Sequence, residues 1–125
     1  SPLRLSGTLQ KAVEYFESEQ VSSLLSVSEN HNFFWRNTKP PNASYDFKNR
    51  PRRQDIADEN IWYKETGSIY ITMLHAFKEN NNRLTDTISL LKTEEIESFE
   101  IDTELDFCLV ETLMNSLSFT LPTLK

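Results

Sequence analysis

The sequence predicts an α/β fold with a protruding β-hairpin arm. Three observations predict it. A helical pattern near the start is followed, after a short link, by a strand pattern, the rhythm of an α/β domain. Strand and helix patterns then alternate through the second half. Between the halves, from Glu29 to Arg53, that rhythm breaks into turn formers interleaved with aromatics.

Thr8 to Glu17 reads as a short amphipathic helix, with Leu9, Val13 and Phe16 at i, i+4 and i+7 and Ser6 or Thr8 placed to cap it. Ser22 to Ser28 reads as a strand. The segment from Glu29 to Arg53 holds Asn30, Asn32, Asn37, Pro40, Pro41, Asn42 and Pro51, with Phe33, Phe34, Trp35, Tyr45 and Phe47 among them. Turn formers alternating with aromatics predict a hairpin. Exposed aromatics call for a partner surface, so a dimer arm is expected; the competing reading is an unstructured loop. Gly67 to Thr72 reads as a strand entered through a glycine turn, and Met73 to Asn80 as a helix stopped by Asn80-Asn81-Asn82. Ile88 to Leu91 and Ser98 to Asp102 read as strands. Thr103 to about Leu117 reads as a helix with Leu105, Leu109 and Leu113 on its buried face.

The chain has 125 residues, 38% of them hydrophobic, and a formal charge of -6. One domain with a core fits these values. The acidic balance argues against nucleic acid and anionic membranes as partners. The single cysteine, Cys108, cannot form an internal disulfide, and no apolar run approaches the roughly 20 residues of a membrane span. A cytoplasmic location is the expectation. Only two glycines occur, Gly7 and Gly67, so no glycine-rich loop is available to bring backbone amides up to nucleotide phosphates.

Three stretches, in order, resemble the acylneuraminate cytidylyltransferase family. Ser1-Pro2-Leu3-Arg4 looks like the end of its Pro-Thr-Ser-Pro-Leu-Arg stretch. Arg50-Pro51-Arg52-Arg53-Gln54-Asp55, then Tyr63, then Gly67-Ser68-Ile69-Tyr70-Ile71, looks like its Arg-Arg-Gln-Asp and Asn-Gly-Ala-Ile-Tyr-Ile segments. Phe99-Glu100-Ile101-Asp102-Thr103-Glu104-Leu105-Asp106 looks like Ile-Asp-Ile-Asp-Thr-Glu-Leu-Asp. The resemblance implies a partial Rossmann-like nucleotidyltransferase sheet with the arm at residues 29–53, the C-terminal part of one domain. The CTP-binding half is expected upstream of Ser1, and this chain alone is expected to be inactive. The implied reaction transfers CMP from CTP to the anomeric hydroxyl of a nonulosonic acid, a sialic acid or a legionaminic-type sugar, in a homodimer. The alternatives are a cytidylyltransferase for an eight-carbon ulosonic acid and a non-catalytic dimerisation or sugar-binding module.

Candidate site residues follow. In a strand, Glu100 and Asp102 at i and i+2 would point to one face, and two carboxylates can hold Mg²⁺ while water and phosphate oxygens complete its shell. The resemblance implies the same cation role, with Glu100 replacing the family's first aspartate. The competing reading is a helix start with Asp102 as N-cap. By resemblance Arg53 meets the sugar carboxylate or the dimer seam, a role that suits a guanidinium because it donates two parallel hydrogen bonds. Arg36, carried on the arm, is implied to reach a neighbour's active site. Lys64, Thr66 and Tyr70 align with the family's sugar pocket, where Lys64 keeps a charge without the fork and Thr66 lacks an amide. The acidic run Glu94-Glu95-Ile96-Glu97 reads as a solvated connection. His31 and His75 show no metal-ligand spacing, and Cys108 reads as a small buried hydrophobe.

Overall fold

The structure, a computed structural model, describes residues 1–117. It is mixed α/β. In chain order the elements are α1 (Thr8–Ser18), β1 (Ser23–Asn30), β2 (Trp35–Arg36), β3 (Asn42–Ala43), β4 (Trp62–Thr72), α2 (Leu74–Asn80), β5 (Ile88–Lys92) and α3 (Glu104–Leu117). Short 3₁₀ turns occupy Arg53–Asp55, Asp58–Asn60 and Glu95–Ser98. The chain divides into two units, residues 29–63 forming one and the flanking segments the other. Among the described residues no helix is long and apolar enough to cross a membrane.

The first unit is built on a three-stranded sheet of order β4-β1-β5. β1 and β5 run parallel, with Leu25 opposite Leu90 and Val27 opposite Lys92. β1 is central, and residues Ser23 to Ser28 are all buried, serines included. A strand buried on both faces reads as a continuous run rather than an alternation. Ala12 of α1, Leu24 of β1 and Ile69 of β4 form the core cluster, with Phe16, Ile71 and Leu91 packed around it.

Both long helices bury a different stripe from the one their apolar spacing suggests. α1 turns Thr8 and Ala12 inward, while Leu9 is 53% exposed. The small Ala12 side chain lets the helix lie close to the sheet, which leaves Leu9 and Val13 on the flank. In α3 the buried position is Val110, with Asp106 and Leu113 half-buried beside it. Leu105 is 69% exposed, and Leu109 is open with it. Leu9 and Val13, and Leu105 and Leu109, give way to positions about one residue, or 100°, around the helix, while Phe16 and Leu113 keep their inward places. Apolar periodicity defines a face, but the sheet selects which part of that face is covered. Nor do Ser6 or Thr8 cap α1: Gly7 is the N-cap, at φ 84°, and no side chain bonds there. Cys108 on α3 is exposed rather than buried.

Residues 98–102 do not form the expected strand. Glu95–Ser98 is a 3₁₀ turn and the chain then runs irregularly into α3. A strand persists only where its N–H and C=O groups meet a neighbour, and the sheet order gives this segment none. The start of α3 is fixed instead by a reciprocal cap. Asp106 N–H donates to Thr103 Oγ1 at 3.2 Å, and Thr103 N–H donates to Asp106 Oδ2 at 2.9 Å. This is the capping-box arrangement, with aspartate in place of the usual glutamate. Thr103, not Asp102, is the N-cap.

The second unit holds the short antiparallel pair β2-β3, with Trp35 opposite Ala43 and Arg36 opposite Asn42. It spans Glu29–Tyr63. The Lys39–Pro40 peptide bond is cis.

The cap yields a prediction with a pH signature. Hydrogen bonds from Thr103 and from the Asp102 and Thr103 backbone, with the charge of Lys64, hold the Asp106 carboxyl below its ordinary 3.8. A depressed folded value means the contribution is complete above the unfolded pKa and is lost as pH falls through the folded one. Thr103→Ala should lower the unfolding free energy by about 1 kcal/mol in urea titrations near neutral pH. Asp106→Asn should also destabilise there, and its deficit should shrink as pH falls below 3.8. A deficit independent of pH would contradict a cap made by the carboxylate.

Candidate functional site

Three separate stretches of the first unit meet around the middle of β4. Gly67 sits inside that strand at φ 63°, so it is a kink within β4 rather than a turn leading into it. Positive φ is cheap only for glycine, and a Cβ here would in addition overlap the Glu100 carboxylate. The kink presents Ser68 to Arg4. Arg4 Nε and Nη2 donate to Ser68 Oγ at 3.1 and 3.0 Å, and Nη2 donates to the Ser68 carbonyl at 3.3 Å. Glu97 closes the set. Its Oε2 accepts the Leu5 N–H at 3.0 Å, and its carbonyl accepts Ser1 Oγ–H at 2.8 Å. The acidic run is therefore not wholly solvated: Glu97 is buried because its carboxylate has a backbone donor to satisfy.

Ser26 holds the kink from behind. Its hydroxyl lies 2.5 Å from Thr66 Oγ1 and accepts the Ile69 N–H at 2.9 Å, while Thr66 Oγ1 donates to the Ser26 carbonyl at 3.2 Å. Thr66 is 1% exposed. The expectation that it lines a sugar pocket is corrected accordingly: its hydroxyl is committed to β1, and its part is to hold the strand.

Tyr70 stands two residues beyond Ser68, exposed enough to meet a ligand. Its Oη donates to Glu65 Oε2 at 2.8 Å, and the Arg83 guanidinium lies 3.8 Å from the ring centroid. The hydrogen bond to Glu65 raises the phenol above its ordinary 10.0, helped by partial burial and the charges of Glu65 and Glu100, and opposed by Arg83. Glu65 and Arg83 were not identifiable from sequence. Arg83 follows the asparagine turn after α2, and only the fold returns it to β4, where its carbonyl accepts a hydrogen bond from Thr72 Oγ1.

The remaining expected residues fall in two places. Lys64 is exposed on β4 and close enough to Asp106 to lower its pKa. Glu100 and Asp102 are both exposed on the irregular segment before α3, so strand alternation does not align them. Among the described residues, no three His, Cys, Asp or Glu side chains group as a metal site. The donor chemistry still suits Mg²⁺, which commonly takes one or two carboxylates from protein and the rest of its shell from phosphate and water. Arg36 and Arg53 belong to the second unit, both exposed, Arg36 on β2 and Arg53 opening a 3₁₀ turn.

Within that second unit the aromatics form a chain. Phe33 and Tyr45 centroids are 4.2 Å apart, Tyr45 and Trp35 6.0 Å, and Trp35 and Phe47 5.6 Å. Arg50 stands over Phe33 at 4.8 Å, and Arg52 pairs with Asp55 at 2.8 Å. Beside them lies a cavity of about 610 Å³ between Asn30 and Trp62. On its wall His31 has Nε2 3.5 Å from Glu29 Oε2, while Nδ1 is buried with no hydrogen-bond partner. An unmatched buried group of this kind costs on the order of 1–3 kcal/mol.

The Tyr70 arrangement can be tested by ultraviolet titration of tyrosine. One tyrosine should ionise above 10.0 and vanish from the curve in Tyr70→Phe. Glu65→Gln should bring that tyrosine back toward the ordinary value, because the neutral amide is a weaker acceptor for the phenol proton than the carboxylate and carries no charge to oppose phenolate formation. An unchanged curve in Glu65→Gln would contradict the assigned cause.

No family model matches this chain, and no curated protein matches it.

Proposed function

We propose that this chain is the sugar-side part of a cytidylyltransferase acting on a nonulosonic acid. The observation that carries the reading is the meeting of three sequence stretches around β4. Arg4 ends the first, Gly67 and Ser68 open the last segment of the second, and Glu100 lies in the third; Arg4 is bonded to Ser68, and Glu100 lies against Gly67. These are three of the segments on which the resemblance rests, and they are far apart in sequence.

Two further features support it. Residues 93–117 carry eight carboxylates and no lysine or arginine, an edge whose negative charge favours a cation. Leu9, Val13, Leu105 and Leu109 leave apolar flanks open on α1 and α3, surface of the kind that a further half-domain would bury.

In the proposed reaction the anomeric hydroxyl of the sugar attacks the α-phosphorus of CTP and pyrophosphate leaves. Such chemistry depends on positioning and on neutralising the charge that develops. Tyr70, held by Glu65, and the ammonium of Lys64 would orient the sugar. Arg53 and Arg36, carried on the second unit, keep the roles that the resemblance implies, Arg53 at the sugar carboxylate or the dimer seam and Arg36 on the dimer arm. Asp102 and Glu100 would hold Mg²⁺, whose charge offsets that of the phosphates. The Rossmann-like sheet, the CTP-binding half and the homodimer belong to this proposal.

The test needs an enzyme that includes the CTP-binding half. Asp102→Asn should slow turnover by about 100-fold or more, on the order of 3 kcal/mol. Added Mg²⁺ should recover part of the loss, and Glu100→Gln should act in the same direction more mildly. Because Thr103 supplies the cap of α3, Asp102→Asn should leave thermal unfolding unchanged, which separates chemistry from folding. Near-normal turnover in both variants would remove the metal assignment.

A further inference from the structure

The cavity of the second unit is unused by the proposed reaction, and its lining is unlike a site for phosphate or carboxylate. No lysine or arginine lines it, whereas Asp46, Asp55 and Glu59 do. An anion would meet carboxylates on the lining and no lysine or arginine there to hold it. Neither CTP nor an acidic sugar fits that chemistry.

An organic cation fits no better. Two of the three carboxylates are already engaged: Asp55 pairs with Arg52, and Asp46 accepts from the Lys48 and Asn49 N–H groups and from Asn49 Nδ2. One of the three lining Phe, Tyr and Trp rings is also taken by a cation already, because Phe33 carries Arg50.

What the wall offers is neutral hydrogen bonding beside ring faces. Four asparagines line it, and a carboxamide both donates and accepts, which matches the alternating needs of sugar hydroxyls. The Asn32 and Asn60 side chains make no hydrogen bond among the described residues. Trp62, 61% exposed, and Tyr45 supply apolar faces at the same cavity. His31 adds a ring nitrogen that lacks a partner. The volume, about 610 Å³, lies within the range that takes small ligands.

We infer that the second unit carries a binding site for a neutral, hydroxyl-rich saccharide. Asn32 and Asn60 hydrogen-bond its hydroxyls, and Trp62 packs on its C–H face. The site does not depend on the proposed transferase activity, and its failure would leave that reading untouched.

The test is an NMR titration of the whole chain with neutral mono- and disaccharides, with N-acetylneuraminic acid and choline as charged comparators. At least one neutral saccharide should give saturable shifts at the Trp62 indole and the Asn32 and Asn60 side-chain amides. Asn60→Ala and Trp62→Ala should each weaken that binding tenfold or more. Circular dichroism should show both variants folded, and Asn60→Ala alone decides if Trp62→Ala does not fold. Absence of saturable binding by every neutral saccharide, shifts mapping away from these residues, or preferential binding of either charged comparator would overturn the inference.

Discussion

The hydroxyl pair Ser26–Thr66 is the constraint on which the first unit depends. Gly67 breaks the regular course of β4, and a broken strand leaves backbone groups that must find other partners. Ser26 Oγ takes the Ile69 N–H just past the kink, and Thr66 Oγ1 takes the Ser26 carbonyl just before it. With both polar side chains buried and satisfied, the kink is held in one register. Ser68 then faces Arg4, and the bare Cα of Gly67 faces Glu100. Removing the Ser26 hydroxyl would leave the buried Ile69 N–H without that acceptor, and removing the Thr66 hydroxyl would take a donor from the Ser26 carbonyl, the costly direction of such a change.

The elements were largely legible in the sequence; the packing was less so. α1, β1, α2, β5 and α3 fall close to where their patterns place them, because short amphipathic or apolar runs with asparagine or threonine at their ends determine local structure strongly. The stripe each helix buries was not legible. Leu9 and Val13 have the right spacing, yet the sheet accepts Ala12, a choice that depends on how closely two elements approach. The strand expected at residues 98–102 failed for a related reason. Its apolar alternation is real, but strand formation is a property of a pair, and the segment has no strand neighbour among the described residues. The cap at Thr103 lies in the sequence as Thr-Glu-Leu-Asp, one residue after Asp102, whose residue type suits an N-cap equally well.

The candidate site shows the same division. Tyr70 and Glu100 were identified from their segments, and the hydrogen bond to Glu65 that chiefly raises the Tyr70 phenol, with Glu100 as a minor contributor, comes from the fold. Thr66 was identified by position alone, and burial gives it a structural part instead. Arg83 and Glu65 carried no motif, since their roles arise only once α2 turns the chain back on β4. Within the second unit the aromatic content was plain from composition. The cavity was not, because it is assembled from asparagines, carboxylates and rings spread over residues 30–62, each of which reads singly as an ordinary loop residue.

The central claim is that the β1–β4 hydroxyl pair sets the kink that brings three stretches of sequence together. Backbone chemical shifts of Ser26→Ala and the near-isosteric Thr66→Val test it most directly. Perturbations should spread from the substituted residue to Gly67, Ser68 and Ile69, and on to Arg4 and Glu100, with faster hydrogen exchange at the Ile69 amide. Shifts confined to residues 26 and 66, with Arg4, Ser68 and Glu100 unmoved, would contradict it.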